Sequence, residues 1–224
     1  MTGKEPRVFV RPPTAQAAVL AELRLAILHG ELAPGTPILQ EAVAEEFGVS
    51  RVPVREALKI LEGEGRVQYL PQRGYSVTKL AIEDLREIYR VRQLLEVEAV
   101  RTGVARLTGA DILAMSKLVR AMDEAADAGD LVALTTLNRQ FHFRLIEASN
   151  REWLISIIRQ LWDSTDPYRS VYFAESANRK TIQREHRAIL KATRQRDADL
   201  LIQLLDEHRQ HAVGVLTRAL EESE

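Results

Sequence analysis

The sequence predicts a mainly α-helical chain in two parts. The N-terminal part is a winged helix-turn-helix of three helices plus a β-hairpin wing, and the C-terminal part is an all-α helical bundle. Three observations carry this. Apolar residues recur at helical spacing over most of the chain, which is rich in Leu, Ala, Val, Glu and Arg while aromatics are only 5%. The segment from Phe47 to Leu58 reads as a turn followed by a helix with two arginines four apart near its start. The hydrophobic period switches from helix to strand after Gly65 and back to helix at Ile82.

Residues 1–13 are polar with a Pro12-Pro13 pair and read as a loose arm. A first helix over residues 14–29 aligns Val19, Leu20, Leu23 and Ile27, and Gly30 and Pro34-Gly35 end it. A second short helix covers residues 40–47 and breaks at Gly48. Ser50 is placed to cap the third helix, residues 51–61. Pro53 does not argue against that helix. It falls in the first turn, where its missing N–H has no intrahelical partner to lose. Val54, Ala57, Leu58 and Leu61 form an apolar face, with Arg51, Arg55 and Lys59 on one flank. Residues 67–70 and 75–78 are strand-like, and Pro71-Gln72-Arg73-Gly74 between them is a turn with an arginine at its tip.

Beyond Lys79-Leu80 the pattern is helical, so the expected organisation is an arm (1–13), a winged helix-turn-helix (14–79) and a helical domain (80–224). The spacing predicts helices near 82–107, 110–127, 130–148, 151–164, 167–175, 178–195 and 198–221. Glu83 and Asp84 load the first turn of the long helix, where they favour the helix dipole.

With no cysteine, the 224 residues carry neither disulfides nor thiolate metal sites, and a cytoplasmic home is expected. No apolar run approaches membrane-spanning length and no signal-peptide core is present, so no membrane partner is expected. The net charge is −1, but residues 49–79 hold six cations (Arg51, Arg55, Lys59, Arg66, Arg73, Lys79) against three carboxylates. A local positive excess is what a phosphate-facing patch needs.

In a helix-turn-helix the second helix enters the major groove, and an arginine near its start can donate two hydrogen bonds to guanine O6 and N7. Arg51 and Arg55 by themselves fit equally a solvated basic helix flank. Three segments in order add to this: Ile27-Leu28-His29-Gly30-Glu31-Leu32-Ala33-Pro34-Gly35, Gly48-Val49-Ser50-Arg51-Val52-Pro53-Val54-Arg55-Glu56-Ala57-Leu58, and Pro71-Gln72-Arg73-Gly74-Tyr75-Ser76-Val77. Together they resemble the GntR family of bacterial transcription regulators. The resemblance implies that Ser50, Arg51, Arg55 and Lys59 meet double-stranded DNA from the recognition helix, and that Arg73 and Gly74 meet the minor groove. Many relatives place an arginine in the preceding helix where this chain has Glu41, and a carboxylate cannot bind phosphate.

The chain has five histidines: His29, His142, His186, His208 and His211. Asn138 and His142, at i and i+4, share a helix face, while His186 and His208 lie on later helices and meet them only if a bundle brings them together. Spacing alone makes a metal site possible and no more. The helical half resembles the FCD domain of FadR-type GntR regulators, through Val91-Arg92-Gln93-Leu94-Leu95-Glu96, Leu137-Asn138-Arg139-Gln140-Phe141-His142, Arg184-Glu185-His186-Arg187-Ala188-Ile189 and the last helix through His208. That resemblance implies Asn138, His142, His186 and His208 as ligands of a divalent metal, with His211 a neighbour. An amide oxygen and three imidazoles suit Zn²⁺, Ni²⁺ or Mn²⁺ and leave the +2 charge uncompensated, which calls for an anionic partner. Arg92 is either a helix salt bridge to Glu96 or an effector-binding cation. Phe141, Phe143, Trp153 and Trp162 are expected in the core.

The resulting expectation is a ligand-responsive DNA-binding regulator and not an enzyme. It would be a repressor released by a small carboxylate effector bound at or near the metal, and a homodimer on an inverted-repeat operator. The alternatives are a metal-dependent hydrolase, since three histidines can activate water, and a regulator for which the metal itself is the signal.

Overall fold

The computed structural model describes residues 14–221, without the side chains of Pro167 and Ser170; the predicted arm lies outside these residues. Thr14 opens the first helix, its side-chain oxygen accepting from the Ala17 N–H at 3.1 Å. Helix α1 (Ala15–Leu28) buries Val19, Leu20, Leu23 and Ile27, the stripe its spacing predicts. A short strand β1 (Pro37–Ile38) precedes α2 (Gln40–Glu46) and α3 (Arg51–Gly63). Strands β2 (Val67–Leu70) and β3 (Gly74–Val77) form the hairpin, with Leu70 opposite Gly74. All three strands pair antiparallel in the order β1-β3-β2, with Ile38 opposite Tyr75. Two residues between a turn and a helix show no alternation, so β1 carried no sequence signal. Val54, Ala57, Leu58 and Leu61 of α3 meet the α1 stripe, Val67, Tyr75 and Val77 in one core. That packing turns the opposite flank of α3 outward.

The second part comprises α4 (Ile82–Gly103), α5 (Gly109–Ala128), α6 (Leu131–Glu147), α7 (Glu152–Thr165), α8 (Arg169–Ala174), α9 (Ser176–Gln195) and α10 (Ala198–Glu221). Helix α4 stops short of the predicted residue 107 and passes into a 3-10 turn, Val104–Arg106. The start of α5 is fixed by Thr108 and Asp111, each side chain accepting the other's backbone N–H. A second 3-10 turn, Asp166–Tyr168, replaces the first residues of the predicted 167–175 helix. Pro167 has no N–H to continue the preceding ladder, so the chain tightens there.

Leu85, Met115, Leu134, Phe141, Ile189 and Leu201 are central in the bundle core, and Phe143 and Trp162 pack in a smaller cluster with Ala99 and Ile158. Trp153, expected in the core, is instead 86% exposed. It lies nine residues before Trp162 on α7, half a rotation round the helix, so burying one exposes the other.

Candidate functional site

The candidate side chains fall into two groups, one on the surface and one inside. On the surface, Arg51, Arg55 and Lys59 are exposed along the outer flank of α3, and Arg73 is exposed at the hairpin tip. Gly74 opens β3 with φ +79°, a backbone conformation that glycine adopts without strain. Ser50 stands at the N-cap position, but its side chain makes no capping bond, contrary to the capping role its residue type suggests. The hydroxyl is therefore exposed and uncommitted at a helix N-terminus, where backbone N–H groups favour an anion. Glu41, on α2, forms an ion pair with Arg51. Arg66, counted above in the basic patch, is buried and points no charge outward; it pairs with Asp163 at 2.6 Å.

Inside the bundle, α6 brings Asn138 and His142 together, α9 contributes His186 and α10 contributes His208, all buried. The three histidines offer nitrogens that all lie within 4.8 Å of one another. His186 Nδ1 bonds the Ile182 carbonyl at 3.0 Å, which leaves Nε2 as its free ligand atom, 3.3 Å from His142 Nε2. His208 Nδ1 meets the Glu185 carboxylate at 2.6 Å, and His211 Nδ1 meets the same carboxylate at 3.2 Å. Glu185 thus orients His208, in the way a carboxylate behind a metal-bound imidazole does.

Burial first, then the charges of neighbouring histidines, holds the His142 imidazole far below its ordinary pKa, and burial with His208 does the same for His186. Burial together with Arg169 and Arg209 brings His208 down to about 3. All three rings are neutral near pH 7, the form that donates a lone pair to a metal. Asn138 supplies an independent test. Its side-chain oxygen and nitrogen are both buried without a hydrogen-bond partner among the described residues. Each such orphan costs about 1–3 kcal/mol, and a cation beside the oxygen removes that cost. Two imidazole nitrogens 3.3 Å apart also match the spacing of neighbours bound to one ion. The donor set therefore fits a divalent metal.

A cavity of about 20 Å³, room for one water-sized atom, opens beside these residues. Its wall includes Arg92, Arg169, Arg209, Glu96, Trp162 and Tyr172. Arg92 forms the predicted pair with Glu96 at 3.1 Å and also lines the cavity. Glu96 also accepts from Arg209 at 2.7 Å and from the Trp162 indole N–H at 2.7 Å. Burial raises the Glu96 pKa, but Arg92 and Arg209 outweigh it and hold the carboxylate at about 2. Arg92 and Arg169 lie 4.1 and 3.8 Å from the Trp162 ring centroid. Three guanidiniums and one carboxylate line the cavity, with Arg169 paired to Asp166 and Arg209 also to Asp206, each at 3.0 Å.

Glu96, Glu185, Trp162, Arg169 and Arg209 are the site residues that sequence reasoning passed over. Arg209 adjoins His208, and Glu96 lies four residues from Arg92, so both carried a local hint. Glu185 likewise adjoins His186; Arg169 carried none, because only the bundle brings it to the site.

A helix-turn-helix with a basic outer flank, joined to a helical domain built around a buried polar cavity, defines a transcription regulator. Residues 15–77 match the bacterial regulatory proteins of the gntR family and residues 87–211 match the FCD domain. The chain belongs to the GntR family of regulators, in the form that carries an FCD domain. It is similar to the HTH-type transcriptional regulator YdhC of Bacillus subtilis, 29% identical over 202 residues, covering 90% of each chain. It is also similar to the HTH-type transcriptional repressor RspR of Escherichia coli, 29% identical over 188 residues, covering 84% of this chain and 82% of that one. The solved structure of E. coli McbR/YncC superposes with a TM-score of 0.84 at 26% identity, covering 93% of this chain and 100% of that one. All three are named as transcriptional regulators or belong with them in fold, in keeping with the gntR-family and FCD matches of this chain.

Proposed function

We propose that the protein is a cytoplasmic, FadR-type repressor released by a small carboxylate that binds at or beside a divalent metal. Asn138, His142, His186 and His208 would hold the ion, which when bound supplies a positive centre for a carboxylate oxygen. The observation that carries this is the convergence of three neutral imidazoles and an unpartnered amide beside a cavity walled by Arg92, Arg169 and Arg209. A cavity of about 20 Å³ is too small for an organic acid as it stands, so binding requires the wall to move. The name of the similar repressor RspR supports release from DNA as the output.

The test is metal analysis of untagged protein, with His142→Ala and His208→Ala as controls. Wild type is expected to carry Zn, Ni or Mn and both variants to lose it; equal content in all three refutes the site. Titrating the metal alone against operator affinity separates a resident metal from a sensed one, since only a sensed metal changes that affinity.

On the DNA side, Ser50, Arg51, Arg55 and Lys59 would meet the major groove, and Arg73 and Gly74 the minor groove, of an inverted repeat bound by a homodimer. Val91 and Leu94 of α4 and Trp153 and Ile157 of α7 are large, exposed and apolar on two packed helices, which supports a second copy as their cover. Trp153→Glu is expected to give monomers in sedimentation; a persistent dimer would move the interface elsewhere.

A further inference from the structure

The α3–β2 corner is seated against the end of α7. At Gly65, φ is +73° and an added Cβ would lie 2.8 Å from Ser164 Oγ. Next to it, the buried Arg66 sends Nη2 to Asp163 Oδ1 at 2.6 Å and, more distantly, to Asp166 Oδ2 at 3.4 Å. Arg139, the neighbour of Asn138, grips the same two carboxylates at 2.6 and 2.5 Å. The remaining oxygen of Asp166, Oδ1, takes Arg169 Nε at 3.0 Å. Arg169 is itself part of the cavity wall. One aspartate therefore touches both a residue of the cavity wall and the residue that follows the recognition helix.

The network holds three donors without a hydrogen-bond partner among the described residues, of which Arg66 Nε lies 3.4 Å from Glu64 Oε2. The other two, Arg169 Nη2 and Arg66 Nη1, are both buried. They sit at opposite ends, one at the cavity and one at the corner. An anion in the cavity would satisfy Arg169 Nη2 and compete with Asp166 for that guanidinium. Asp166 Oδ1 would then lack a donor, and Arg66 Nη1 lacks an acceptor. Exchanging one for the other preserves the number of hydrogen bonds while drawing the corner towards α7. Buried, packed groups of this kind adopt discrete arrangements rather than a continuum. A second tie, from the Leu80 N–H to the Tyr168 hydroxyl at 2.6 Å, anchors the chain just beyond the hairpin.

We propose that Asp166 is a switch between the two halves, passing its Oδ1 from Arg169 to Arg66 when an anion enters the cavity and so re-aiming α3. The switch rests on the reading of the cavity as an anion site.

Hydrogen exchange of the full-length, metal-loaded protein tests it without knowledge of the operator. The probes are acetate and inorganic phosphate against matched chloride, in a Trp153→Phe background that leaves Trp162 as the sole fluorescent reporter of the cavity. Anion binding is expected to change Trp162 emission and to shift amide exchange over residues 60–70 by about fivefold, within the usual range of coupling between sites. In Asp166→Asn and Arg66→Lys the emission change should persist and the exchange shift should disappear; an undiminished shift in both overturns the switch. Arg169→Met and Arg169→Lys withdraw or weaken the Asp166 contact with no anion present. Either one, if folded by circular dichroism, should shift exchange over residues 60–70 by itself, and no shift overturns the switch. If neither anion moves Trp162 emission, the anion-site reading fails, and the Arg169 variants still decide whether the link exists.

Discussion

Two arginine–glutamate pairs carry the same charges in opposite surroundings. Arg51 and Glu41 meet on the surface of the N-terminal half, with side chains 68% and 71% exposed. Arg92 and Glu96 meet inside the bundle, with side chains 4% and 8% exposed. The first pair is screened by water and salt and stabilises by about 0.2–1 kcal/mol. Each member can leave it for another partner at little cost. The second pair has lost its water, and neither charge can be left alone. A neutral group in place of Glu96 would leave Arg92 with a buried, unpaired charge, whereas the surface pair tolerates exchange of either member.

The largest expected effect falls on the buried side. Glu96→Gln leaves Arg92 without its carboxylate and Arg209 with Asp206 alone, and should cost about 3–5 kcal/mol of stability in urea unfolding. A loss below about 1 kcal/mol would place this pair with the surface ones. The same contrast has a pH signature. Burial opposes the Glu96 charge, yet Arg92 and Arg209 depress its pKa from 4.5 to about 2. A depressed carboxylate contributes stability above its unfolded pKa, and that contribution is lost as pH falls from about 4.5 towards 2. Unfolding midpoints measured across that window should fall with pH in wild type and fall less in Glu96→Gln.

Next in size is the carboxylate behind the histidines. Glu185→Gln keeps the shape but weakens the hold on His208, and metal affinity should drop by about 10–100-fold in competition with a chelator. Unchanged affinity would make Glu185 a bystander. Arg55→Ala should cost about 1–3 kcal/mol at one base position of a cognate operator and leave other positions alone. A uniform loss over all sequences would make Arg55 a phosphate contact instead. Smallest in stability is Glu41→Gln, under about 1 kcal/mol. It frees Arg51, so DNA binding should tighten and its salt dependence should steepen; weaker binding would mean that Glu41 holds Arg51 in its working position.

The helix-turn-helix and its wing were legible because their signals are local. Gly48, the Arg51–Leu61 spacing and Pro71–Gly74 each act within a few residues, and the elements lie close to where they were read. The exceptions are instructive. β1 is too short to show a period, and the Ser50 hydroxyl does not cap. The candidate metal ligands were legible only through family resemblance, since His186 and His208 stand on different helices. Arg169 was not legible at all: it lies on a short helix after a 3-10 turn, with no periodic pattern to mark its inward face.

The sequence by itself determined the fold class, because apolar periodicity dictates which face of each helix and strand is buried and turn residues dictate where each ends. It also determined which cations line the outer flank of α3, since they follow from the same spacing. Tertiary structure alone decided that Arg66 faces inward to Asp163, that Glu41 neutralises Arg51, and that three arginines and one glutamate line a cavity beside the histidines. The physical reason is that hydrophobic burial is read by type and spacing, whereas a charge acquires its role from whichever charges the packed chain brings within a few ångströms of it.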